Sequence, residues 1–84
     1  MNIPKIELTQ DFVLNQIKDV RYFFDGTLTI CVITTLSNFK IVESSNVFDE
    51  LKYDQVKGME AAREKATAKL FEHCAYYLKA ITSN

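Results

Sequence analysis

The sequence predicts an α+β fold: a short amino-terminal helix, a three-stranded antiparallel β-meander, and a long carboxy-terminal helix packed on the sheet. Three observations carry this prediction. Apolar spacing is helical over residues 9–18, alternates over residues 20–43, and returns to steps of three and four from Asp54 almost to the end. Asp25-Gly26 interrupts the alternating stretch with a hairpin-turn signal. Finally, 84 residues with two glycines and one proline leave room for a single domain, residues 1–84, and for no inter-domain linker.

The first helix is expected to start at Thr9, whose hydroxyl can accept a free backbone amide, with Asp11 suited to the positive helix end. Phe12, Val13, Leu14 and Ile17 would give it a buried stripe, and it would end near Lys18. Val20, Tyr22 and Phe24 then alternate with Arg21 and Phe23 as a strand does. Asp25-Gly26 is read as two positive-φ positions, followed by a β-branched second strand over residues 27–36. Ser37-Asn38 marks the next turn, and residues 39–43 form the third strand.

In residues 44–52, Asn46 is expected to cap a short helical turn with Asp49 at its third position. The long helix follows, with Val56, Met59, Ala62, Ala66, Leu70, Cys74, Tyr77 and Ile81 as its apolar stripe and Phe71 and Leu78 widening it. Gly58 costs this helix about 1 kcal/mol relative to Ala, which is reasonable where a close packing contact needs it.

Composition narrows the functional classes. Ten basic residues against eleven acidic ones give a net charge of −1, which argues against extended nucleic-acid binding, where counterion release from many phosphates supplies the affinity. Cys31 and Cys74 stand far apart in apolar surroundings and lack the paired spacing of a zinc site, so reduced buried thiols are expected, with a disulfide as the alternative. Residues 1–5 lack the apolar core of a signal peptide, and no apolar run reaches membrane length. A cytoplasmic protein without a cofactor, metal or membrane partner is the expectation.

Each candidate site has a plain structural counterpart. His73, the single histidine, stands one helical turn from Lys69 and has no evident partner for acid–base work, so a helix-surface or core-edge role is expected. Asp49, Glu50 and Asp54 lack the alternation and glycine of a calcium loop and are read as helix caps. Arg21 and Tyr22, followed by Phe23 and Phe24, interleave charge with aromatics; such a strand can hold a phosphate and stack a base, or simply form a sheet core with one solvated arginine. No glycine-rich phosphate loop accompanies it. No catalytic residue is assigned, and an enzyme is not expected.

One set of residues goes beyond pattern. Cys31-Val32-Ile33, Leu36, Asn38, Phe39 and Glu43-Ser44 are followed by Tyr53-Asp54, Gly58, Ala62, Glu64, Ala66, Lys69, Phe71 and Tyr77-Leu78. In order and spacing these resemble a family of small tailed-phage proteins first noticed in coliphage N-four and Shigella phage Sf-six. The likeness runs from Thr29 onward. It departs from the family in lacking a glycine beside the turn asparagine, and in having Val42 where the family has glycine before Glu-Ser.

The resemblance implies phage origin and an accessory role in the host cytoplasm. It makes Asn38, Glu43 and Ser44 candidate binding residues alongside Arg21 and Tyr22. The leading expectation is a non-enzymatic accessory protein that binds and inhibits a host protein, as an anti-defence or host-takeover factor. The alternative is an oligomeric sponge for a cyclic nucleotide immune signal, with Arg21 or Arg63 on the phosphate and Tyr22 on the base; a minor structural virion component is a third. The activity is expected to survive chelators and His73→Ala.

Strand alternation also predicts association. Leu28, Ile30 and Val32 face one way and Cys31 and Ile33 the other, with Phe23 and Val42 adding to the apolar set. The long helix would cover one face and the short helix part of the other. A homo-oligomer, with a dimer favoured, is therefore expected to bury the remainder.

Overall fold

A computed structural model of the chain describes residues 8–82. The stretch over residues 1–5 that was read for a leader lies outside them. The elements run α1 (Gln10–Asn15), β1 (Ile17–Asp25), β2 (Leu28–Thr35), β3 (Lys40–Asn46), a 3-10 turn (Glu50–Lys52) and α2 (Gln55–Thr82). The α+β class and the order of elements are those the sequence predicts.

Thr9 caps α1 by accepting the Phe12 amide at 3.1 Å. The helix is shorter than expected: it stops at Asn15, and Ile17 and Lys18 already belong to β1. Their extended backbone is held by the ladder that pairs Ile17 with Thr35, an interaction residue spacing alone does not reveal.

The sheet is an antiparallel meander in the order β1-β2-β3. The first hairpin closes on the Asp25–Leu28 pair, so the loop is Gly26-Thr27. Gly26 has φ +58° and is its one positive-φ residue, the pattern of a type II′ turn; Asp25 stays in the strand. The second hairpin has a three-residue loop. The Asn38 amide donates to the Thr35 carbonyl at 2.9 Å, the Thr35 amide donates to the Phe39 carbonyl at 2.9 Å, and Asn38 takes φ 66°. A tight turn closed by one left-handed residue is a common three-residue hairpin, and asparagine tolerates that conformation without glycine. β3 runs on to Asn46, so Glu43 and Ser44 lie within the strand and Asn46 caps nothing. The 3-10 turn is capped by Asp49, which accepts the Leu51 amide at 3.0 Å. Asp54 caps α2 by accepting from Val56 at 2.9 Å and Lys57 at 3.3 Å.

Both helices pack on one face of the sheet. Val13 of α1 joins Cys31, Ile33, Ile41, Ala62, Ala66, Leu70 and Cys74 in a single buried cluster. This corrects the expectation that the short helix covers the second face. Only Gln16 separates α1 from β1, and Val13 finds its apolar partners on the side where α2 already lies.

α2 lies across β2 and β3. Its buried row is Gly58, Ala62, Ala66, Leu70, Cys74 and Leu78, each four residues after the last. Such a row runs obliquely round the helix and follows the twist of the sheet. Val56, Phe71, Tyr77 and Ile81, expected in or beside the stripe, fall off this row and are exposed. Length contributes as well: 28 residues make a helix of about 42 Å, longer than the roughly 30 Å of β1.

The small residues at the start of the row bring helix and sheet backbones together. A Cβ on Gly58 would lie 2.6 Å from the Thr29 Oγ1, and Thr29 is fully buried with its hydroxyl 3.3 Å from the Tyr53 hydroxyl.

Candidate functional site

The residues singled out from the sequence separate into three places. Arg21 projects from β1 on the side away from the helices, and its Nε donates to the Asp19 carboxylate at 2.8 Å. Tyr22 projects toward the helices beside Cys31. Burial pushes the Cys31 thiol above its ordinary pKa, while the Arg63 charge and a hydrogen bond with Tyr22 act the other way. Tyr22 and Arg63 thus both act on Cys31, and Arg21 stands on the opposite face. Phe24 also points to the helix side and is 43% exposed.

Asn38 holds the second turn and accepts a hydrogen bond from Lys18 Nζ at 3.0 Å. Glu43 faces α2 and pairs with Lys69 at 3.0 Å, while the Ser44 carbonyl accepts from Lys65 Nζ at 3.1 Å. Lys65 and Lys69, one turn apart, therefore tie α2 to β3 through the Glu-Ser pair. Most residues that carry the family resemblance have comparable framework roles: Tyr53 packs by Thr29 and Gly58, Asp54 caps α2, and Ala62 and Ala66 line the helix–sheet contact.

A concave surface lies elsewhere. Where α1, the second hairpin turn and α2 meet, a cleft of about 350 Å³ is lined by Phe12, Gln16, Thr35, Leu36, Ser37, His73, Cys74 and Tyr77. Its polar floor is already engaged: the Leu36 amide donates to the Gln16 carbonyl at 2.9 Å, and the Thr35 and Ser37 hydroxyls are 3.0 Å apart. Its rim is apolar and wet, with Leu36 59% and Tyr77 56% exposed. The rings of Phe39 and His73 stack, with centroids 4.5 Å apart and planes within 5°. This stack stands between the cleft and a second, more open groove at the β3 edge, lined also by Lys40, Ile41, Val42 and Tyr76. His73 therefore builds a wall with Phe39.

The sequence reading missed this cleft because its parts come from three separate segments. The available signal was the density of aromatics in residues 71–77, read there as helix stripe. Among the described residues, no group of three or more His, Cys, Asp or Glu side chains could hold a metal ion, and no helix is long and apolar enough to cross a membrane.

No curated protein and no solved structure matches the chain. A family model does match, over residues 8–81, and so spans both helices, the whole sheet and the cleft. The chain belongs to the phage protein (N4 Gp49/phage Sf6 gene 66) family.

Proposed function

We propose that the chain is a non-enzymatic phage accessory protein that acts in the host cytoplasm by binding a host protein and inhibiting it. The observation that carries this reading is the aromatic rim of the cleft. Leu36 and Tyr77 stand exposed around the cleft, and Phe39 and Tyr76 line the adjoining groove that His73 shares with it. Tyrosines combine large apolar area with a polar tip and are enriched among residues that dominate protein–protein binding. Membership of a phage family makes a host component the natural partner.

The test is recovery of a host protein at fixed stoichiometry from infected cells, repeated with Tyr77→Ala and Leu36→Asp. Both variants should fold and lose the partner. Retention of the same partner by both would remove the cleft as the binding surface. Chelators should leave binding unchanged, and so should His73→Phe, which keeps a ring against Phe39 while removing the imidazole.

A second reading, the nucleotide sponge, is favoured by Tyr22 and Phe24 on the helix side of β1 and by Arg63, whose charge is felt at Cys31 beside Tyr22. An aromatic face can stack a base, and a guanidinium fork matches a phosphate. Calorimetry with cyclic di- and trinucleotides tests it: heat that disappears in Arg63→Gln supports the sponge, and silence with the wild-type protein retires it.

A further inference from the structure

We propose that two copies of the chain associate face to face through the open side of the sheet, about a twofold axis running along β2. The α1 and α2 helices lie together on the other side, and among the described residues no helix packs on this one. Its central strand is apolar: Leu28, Ile30 and Val32 are half-buried, flanked by Phe23 and Val42, each 53% exposed, while Ser44 and Arg21 complete the same two cross-strand rows. An antiparallel sheet with one wet side normally carries polar residues there.

The charges on this face identify the occupant as a second copy and fix its orientation. Asp19, Thr34 and Lys40 form one cross-strand row, with the acid, held at 2.8 Å by Arg21 of its own strand, on one edge and the base on the other. The Lys40 ammonium already leans inward, donating to Thr34 Oγ1 at 2.8 Å. A twofold axis along β2 exchanges the edge strands, so Asp19 of each copy lies over Lys40 of the other, twice. An axis in the same plane but across the strands would reverse the rows and set Asp19 over Asp25, acid on acid.

The first arrangement is self-complementary, as a twofold interface must be. It gives an aligned sandwich with sheets about 10 Å apart and crossing at roughly −30°, an offset that a lysine side chain spans. The helices lie outside, and both aromatic clefts stay open.

Sedimentation from low to high micromolar concentration should give twice the 9.7 kDa chain mass. Val42→Lys sets a base over Arg21 of the other copy in both contacts, and should give a folded monomer by circular dichroism and sedimentation. Lys40→Glu places Asp19 over Glu in both contacts and Asp19→Lys places Lys over Lys, and each variant alone should dimerise about tenfold more weakly or worse. Mixed, the two variants restore both opposite-charge contacts, and a heterodimer of wild-type strength should form. This mixing result depends on neither variant's intrinsic stability.

A wild-type protein that stays at 9.7 kDa overturns the proposal. So does a Val42→Lys dimer, which would point to strand-edge pairing, or a mixture no tighter than its components. Dimerisation that appears only on removing residues 1–7 would assign the face to that segment instead.

Discussion

The two faces of the sheet are built from similar residues and organised differently. Toward the helices, Thr29, Cys31 and Ile33 are fully buried beneath a helix row of Gly, Ala, Ala and Leu. Toward the open side, Leu28, Ile30 and Val32 are at least as apolar but have no matching small-residue helix among the described elements. Burial therefore depends less on strand hydrophobicity than on whether a partner can come close. Gly58, Ala62 and Ala66 let α2 approach one face, and no described helix brings such a row to the other.

Substitutions on each face can break or sharpen this contrast. The largest effect is expected from Leu70→Ala, which empties a fully buried site and should cost about 2–5 kcal/mol. Chemical denaturation gives the value, and a loss below about 1 kcal/mol would mean that the helix row is not the core. Next is Gly58→Ala. Its new Cβ meets the Thr29 hydroxyl, an overpacking cost of about 1–3 kcal/mol that better helix propensity offsets by about 1. A net loss of about 1 kcal/mol is expected, and Thr29→Ala in the same chain should recover part of it. The smallest effect is that of Val42→Thr on the open face, which should change monomer stability by no more than about 0.5 kcal/mol. A larger loss, measured where the protein is monomeric, would show that this face is already covered within one chain.

Elements with local signals were legible in the sequence. Thr9, Asp49 and Asp54 act as caps, the two turns occur where Gly26 and Asn38 stand, and Leu70 is core, because each depends on chemistry within a few residues. What failed was set by distant partners. Ile17 and Lys18 fit a helical spacing but are held extended by pairing with β2. The side chosen by α1 follows from Val13 meeting residues far along the chain. Phe71 and Tyr77 fit a helical stripe, yet an oblique row of four-residue steps leaves them outside.

The candidate site was less legible than the fold. Arg21 and Tyr22 are neighbours in sequence, and strand alternation alone could have placed them on opposite faces. Their separation leaves Tyr22 beside Cys31, on the face that α2 packs against.

The two thiols give the molecule a built-in gauge of its own opening. Cys31 lies in the sheet beneath α2 and Cys74 on α2 at the cleft; both are free and buried, and burial raises the pKa of each. A protonated, inaccessible thiol is unreactive, so alkylation at neutral pH proceeds only through open states. Because the folded thiols hold their protons more tightly than the unfolded chain's, their contribution to stability is intact below the ordinary thiol pKa of about 8.5 and declines as pH rises beyond it. Labelling of Cys74 ahead of Cys31 would time the fraying of the helix end separately from its release from the sheet. Simultaneous labelling would mean that helix and sheet part in one step.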